Sequence, residues 1–231
     1  MNLIRRASAS TAATAMAALI TITASACGGA TTATGTPTNG LEKKSAAEVP
    51  QDAAGALGAA KSVQIVLTPP HGKGSPSQVD LRIQGDSRTL TFVENGIGKA
   101  EFTIIGQYAY VKINPAVFKV LPLPPSLKRI SGRWLRIPAK RLKLGEEFSL
   151  ASLAAQLTHH GPLEPAVRQA TLNGRKVVVI TDQRNGAKLY VANTGPAYPL
   201  LIANPDGRRI ELSDYGANFH ITAPSNAILA R

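Results

Sequence analysis

The chain has 231 residues, with 26 basic side chains against 14 acidic ones and a formal net charge of +12. That length suits one domain with a leader. One cysteine excludes an internal disulfide, and with it a disulfide-built scaffold or a multi-cysteine metal site.

The leader comes first. Arg5 and Arg6 form a short positive segment, and an uncharged run from Ala7 to Ala26 follows, holding Met16, Leu19, Ile20 and Ile22. These are the n-region and h-region of an export signal and lie outside the fold. The run is weakly hydrophobic for a segment that must cross ~30 Å of hydrocarbon. It ends in Ala24-Ser25-Ala26-Cys27-Gly28-Gly29. Small residues fit a signal peptidase in extended form, and a cysteine directly after them is what a lipobox needs, because its thiol is alkylated by a diacylglycerol. Ala24 stands where such boxes prefer Leu. The expectation is a signal peptide over 1–26 and a lipid on Cys27. This places the protein on the extracytoplasmic face of the cell membrane. The alternative is ordinary A-x-A cleavage leaving a free thiol.

Residues 28–40 carry no charge and no large apolar side chain, so 27–45 is expected to be a lipidated N-terminus and flexible tether, with the folded domain over 46–231. Ser45 to Ala60 places Val49, Ala53, Leu57 and Ala60 at helical spacing. From Ser62 the period becomes two. Val63, Ile65 and Leu67 form one set, then Val79, Leu81 and Ile83, Leu90 and Phe92, Phe102 and Ile104, and Val111 and Ile113. Turn signals separate them at Gly72 to Pro76, Gly85-Asp86, Asn95-Gly96 and Gly106-Gln107. This is an antiparallel meander with one apolar face.

The middle differs. Asn114 to Leu121 reads as a short helix stopped by Pro122, Pro124 and Pro125, Trp134 to Ile137 as a strand, and Leu150 to Leu157 as a helix. Strands then resume at Arg175–Thr181, Lys188–Asn193, Pro199–Ala203, Arg208–Ser213 and Phe219–Ile221. Asn173-Gly174, Asn185-Gly186 and Asp206-Gly207 mark hairpins. Roughly ten strands exceed what a flat sheet carries. The expected fold is α+β: a curved antiparallel β half-barrel with helices covering its concave face.

Reactive chemistry is missing. There is no G-x-S-x-G elbow, H-E-x-x-H helix or P-loop. Gly72-Lys73-Gly74-Ser75, flanked by prolines, reads as a turn. His159-His160 precedes Gly161-Pro162 and marks a helix end, where a cation suits the dipole. Adjacent helical residues point about 100° apart and rarely share an ion. His71 and His220 have no ligand partner at metal spacing. Glu146-Glu147 suit the start of the following helix, and Trp134 between Arg133 and Arg136 reads as a strand anchor. No catalytic residue, metal or cofactor is expected.

A resemblance rests on Thr171-Leu172-Asn173-Gly174 leading to Val177-Val178-Val179-Ile180. It continues through Gly186-Ala187-Lys188-Leu189-Tyr190-Val191-Ala192, Gly195-Pro196-Ala197-Tyr198-Pro199-Leu200, Ser213-Asp214-Tyr215-Gly216 and Ile221-Thr222-Ala223-Pro224, with Tyr110-Val111-Lys112 and Trp134 upstream. In these, most of residues 46–231 resembles the LppX/LprG family of actinobacterial lipoproteins, more specifically after Leu172 than before it. The resemblance implies a half-barrel closed by helices that is not an enzyme. It would hold the acyl chains of a lipid or glycolipid in an apolar cavity and aid their movement across the envelope, with a lipid exporter as a further partner. The departures are the segment Leu121 to Pro125 and the basic stretch from Lys128 to Lys143.

A lipid carrier needs apolar area, since each buried CH₂ is worth about 0.8 kcal/mol. The strand residues expected to line the cavity are Leu81, Ile83, Phe92, Phe102, Ile104, Val111, Val179 and Leu189. Lys128, Arg129, Arg133, Arg136, Lys140, Arg141 and Lys143 are the expected head-group or membrane contacts. The competing reading is a non-enzymatic surface module with a filled core that binds an anionic wall polymer or a protein through this basic face. Export makes nucleic acid a poor partner.

Overall fold

The computed structural model describes residues 36–70, 78–94, 97–119, 132–142 and 148–229. The export signal, Cys27, His71, the turns at Gly72 to Pro76 and Asn95-Gly96, Lys128, Arg129, Lys143 and Glu146-Glu147 lie outside the described residues.

Alternation builds one open sheet. Its first part is the meander β1 (Ser62–Thr68), β2 (Gln78–Gln84), β3 (Ser87–Glu94), β4 (Gly98–Ile105), β5 (Tyr108–Ile113) and β6 (Leu135–Pro138). The second is β7 (Arg168–Leu172), β8 (Arg175–Thr181), β9 (Lys188–Ala192), β10 (Pro199–Ala203) and β11 (Arg209–Ser213). Antiparallel pairing of β1 with β11 joins them, and β12 (Ile228–Leu229) runs parallel to β6 at the edge. The order is β12-β6-β5-β4-β3-β2-β1-β11-β10-β9-β8-β7, twelve strands whose end members do not pair.

Successive side chains on a strand point to opposite faces, so register sets what meets what. One row crosses eight strands through Leu212, Ile65, Leu81, Leu90, Phe102, Val111, Leu135 and Ile228. The next row on that face is Ile180, Leu189, Ile202, Ile210, Leu67, Val79, Phe92, Ala100 and Ile113. Over β1–β6 the other face is largely polar: Gln64 Nε2 donates to Asp80 at 3.0 Å, and Lys99 pairs with Glu101 at 2.9 Å.

Two helices cover the apolar rows. α1 (Glu48–Gly58) sets Leu57 in one core with Leu81, Phe102 and Val111, and Val49 and Ala53 in another with Val178, Ile180 and Val191. α2 (Leu150–Thr158) adds Ala154, with Leu150, Leu153 and Leu157 packed beside it. Before α1, the Ser45 amide and hydroxyl both donate to the Glu48 carboxylate, at 2.9 and 2.6 Å. The Ser45 hydroxyl and then its amide hold the Glu48 carboxyl below the usual carboxylate range. Ser149 caps α2 by accepting from the Ser152 amide at 3.1 Å.

The described residues depart from some sequence expectations. Residues 36–45, expected within the tether, belong to the compact unit that begins at Thr36. The Asn39 amide donates to the Asn193 carbonyl, and its side chain donates to the Ala192 and Gly195 carbonyls, each at 3.0 Å. Leu41, the first large apolar residue after the glycine-threonine run, is buried with Val178 and Val191. Asn39→Ala removes two of these bonds and is expected to cost about 1–2 kcal/mol. Thermal unfolding checks this; an unchanged Tm would mean that the segment is not docked in solution.

Phe219–Ile221 is not a strand. Both edges of β1 are taken, by β2 and β11, so this segment caps the strand ends instead. The Phe219 amide donates to the Gln84 side chain at 2.9 Å. Residues 115–119, within the stretch expected to be a short helix, form a 3-10 helix, and the Asn114 side chain accepts from the Ala116 amide at 2.9 Å. The Asn173-Gly174 hairpin is as expected: both residues have positive φ, 49° and 78°, as a type I′ turn requires.

Candidate functional site

The apolar row reaches its far end at Ile180, Leu189 and Ile202, in direct register on β8, β9 and β10. Here the helix layer does not fill the face. The three side chains line a pocket of about 150 Å³, completed by Pro50 of α1, Gln156 and Leu157 of α2, and Leu163. His159, His160, Asp182, Ala187 and Lys188 line the rest of it.

The chain leaving α2 is fastened to the end of β8. The Asp182 carboxylate accepts from the Arg184 amide at 2.8 Å and from the Gly161 amide at 3.0 Å. These donors, Arg184 first, hold its carboxyl below the usual range. The Gln183 amide donates to the Pro162 carbonyl and the Glu164 amide to the Thr181 carbonyl, both at 2.9 Å. The Arg184 guanidinium packs against Gly161 in the space a β-carbon would take, so a larger residue there displaces that side chain. His159 Nδ1 lies 2.7 Å from the Ala155 carbonyl, and His160 Nδ1 lies 2.8 Å from the Gly161 carbonyl. A carbonyl only accepts, so each Nδ1 carries the hydrogen. These polar groups thus serve the backbone of the pocket wall. Among the described residues no group of three or more His, Cys, Asp or Glu is placed to bind a metal.

No family model matches the sequence, and no curated protein does. Solved structures match across most of the chain. LprF from Mycobacterium bovis superposes with a TM-score of 0.54 at 15% identity, covering 82% of this chain and 99% of that one. The lipoprotein LppX from Mycobacterium tuberculosis gives 0.50 at 12% identity, covering 77% and 98%. The fold is that of LprF and LppX. It is the α+β architecture expected from the sequence, an open and mostly antiparallel sheet carrying two helices. No helix among the described residues is long and apolar enough to cross a membrane.

Of the eight strand residues expected to line a cavity, Leu189 lines this pocket. Leu81, Ile83, Phe102, Ile104 and Val111 share its face of the sheet but are buried in the close-packed core, with Leu57 and Ala154 above them. Phe92, half-buried, meets Phe102 edge-on at 5.8 Å. Val179 lies on the opposite face with Val177, Ala192 and Leu200. That patch is covered by Tyr198 and Tyr215, whose rings stack at 3.9 Å, and the Tyr215 hydroxyl donates to the Pro199 carbonyl at 2.5 Å. Burial raises the Tyr215 pKa well above the usual phenol range.

None of the described members of the expected basic cluster, Arg133, Arg136, Lys140 and Arg141, lines the pocket. Arg136 sits on β6, near the opposite edge of the sheet, with its guanidinium 4.9 Å from the Tyr108 ring. Arg133, Lys140 and Arg141 are exposed around that strand. Sequence reasoning missed Pro50, Leu157, Leu163, Ile180 and Ile202 as pocket residues, and set His159-His160 aside as a helix end. Both histidines do end α2, and that end is the pocket wall.

Proposed function

We propose that this is a lipid-anchored envelope protein that holds an acyl chain between its helix layer and the β8–β10 end of its sheet. The observation that carries this reading is the pocket itself: three aliphatic side chains in register, roofed by Pro50 and Leu157, at the end of a face whose described core residues pack with α1 and α2. The LprF and LppX likeness supports the same architecture, and LppX is itself a lipoprotein. Export, the anchor on Cys27, movement of lipid across the envelope and delivery to an exporter belong to this reading.

A pocket of about 150 Å³ holds one benzene-sized group. A long chain enters only as α2 and the 159–164 segment move off the sheet, widening the pocket toward the core rows. Each methylene taken up contributes about 0.8 kcal/mol, which offsets the cost of that movement. The site needs no reactive group, and the reading is of a carrier rather than an enzyme. Uptake of a fluorescent acyl lipid tests it. Saturable binding displaced by an unlabelled fatty acid is expected, and no uptake at any lipid concentration contradicts it.

The anchor has its own test. Cys27→Ser is expected to abolish both membrane retention and labelling by an alkyne fatty acid in growing cells. Equal labelling of the two proteins would show that Cys27 is not the acceptor.

A further inference from the structure

β7 ends the strand order, so among the described residues one side of it has no strand neighbour. Its five residues, Arg168–Leu172, pair with β8 without a register shift and include no proline. Arg168 to Thr171 are exposed. The opposite end of the sheet carries β12, of which two residues, Ile228 and Leu229, are described. A regular open edge presents N–H and C=O groups ready for another strand.

The face beside this edge has a distinct chemistry. Away from the helices, Arg168 stands opposite Val179, Ala170 opposite Val177 and Leu172 opposite Arg175. The small Ala170 leaves a notch between Arg168 and Leu172. Next to it is a depression of about 320 Å³ lined by Arg168, Ala170, Val179, Lys188, Tyr190 and Glu164, among others. Arg168 has a side chain 70% exposed and lies 3.4 Å from Glu164. Arg168, paired with Glu164, and Lys188 of β9 both line this depression, whose apolar part is Ala170, Val179 and Tyr190.

We infer that the β7 edge takes an extended acidic segment of a partner protein as an added strand. An aliphatic side chain of that segment fills the notch at Ala170, and carboxylates two residues to either side meet Arg168 and Arg175. Main-chain bonds along an added strand give affinity, and alternate side chains give specificity. Opposite charges paired across neighbouring strands are favourable. A second copy fits less well: antiparallel pairing of β7 with itself about Ala170 sets Arg168 against Leu172, where it meets no carboxylate. A five-residue edge is also small beside the roughly 1,200–2,000 Å² that stable interfaces bury.

The probe is acetyl-Glu-Thr-Val-Thr-Glu-amide, which reads the same in both directions and so suits parallel or antiparallel addition. It is titrated to millimolar concentration into the purified protein while amide exchange is followed by NMR. Slowed exchange confined to residues 168–172 is expected. Arg168→Glu changes an exposed side chain and keeps the fold. It is expected to weaken the acidic peptide about tenfold or more and to favour the version with Lys in place of each Glu. No slowing at β7, or equal responses to both peptides by both proteins, overturns the inference. Slowing that rises with protein concentration in the absence of peptide also overturns it, and assigns the edge to a second copy.

Discussion

Leu189→Trp is expected to abolish acyl-lipid uptake while the protein stays folded. Leu189 is half-buried at the centre of the pocket floor, between Ile180 and Ile202. An indole there occupies the volume an acyl chain would take, and the open pocket accommodates it. The same change at Val111 has a different outcome. Val111 is wholly buried between Phe102 and Leu135, and adding volume to a filled core costs about 1–3 kcal/mol or more. Thermal unfolding and uptake of a fluorescent acyl lipid, measured on both variants, separate the two sites. Leu189→Trp protein that unfolds, or that stays folded and loads lipid normally, would contradict the assignment of this pocket.

Phe102→Ala is expected to be the most destabilising single truncation discussed here, at about 3–5 kcal/mol. Phe102 is buried in the middle of the eight-strand row, flanked by Leu90 and Val111 and touched edge-on by Phe92. Its removal leaves a cavity beneath the helices at a point where both neighbouring strands are held in register and collapse poorly. At roughly 2–4 °C per kcal/mol for a domain of this size, the Tm falls by about 10 °C. A shift of only a degree or two would show that the interior relaxes freely and is not close-packed at this point.

Much of the sheet was legible because β1–β6 bury mainly one face. Val63, Ile65 and Leu67 alternate with more polar residues, so their period gives both strand and face. Likewise Asn173-Gly174 states its hairpin in two residues. The site was harder to read, for two physical reasons. Val177-Val178-Val179-Ile180 is apolar on both faces, because β8 lies between α1 on one side and the Tyr198–Tyr215 cluster on the other. Periodicity therefore cannot say whether Val179 or Ile180 faces the helices, and Ile180 does. The second reason is register. Ile180, Leu189 and Ile202 become neighbours only through strand pairings that include a register shift between Pro199 and Leu201. The docking of Asn39 was equally hidden, since its partners Ala192, Asn193 and Gly195 lie more than a hundred residues away in sequence.

The basic cluster is where the reading of charge and the fold part company. Arg133, Arg136, Lys140 and Arg141 gather around β6, while the pocket belongs to β8–β10 near the other edge. Attraction of a head group to the pocket mouth therefore cannot rest on these four side chains.

Native mass spectrometry of the purified, unlabelled protein, released gently from its host envelope, tests the central claim most directly. Acyl-chain binding predicts a second mass series, above that of the polypeptide with its covalent anchor, that is lost on delipidation and is absent from the Leu189→Trp variant. A single series at the mass of the anchored polypeptide, unchanged after incubation with lipid, would contradict the claim.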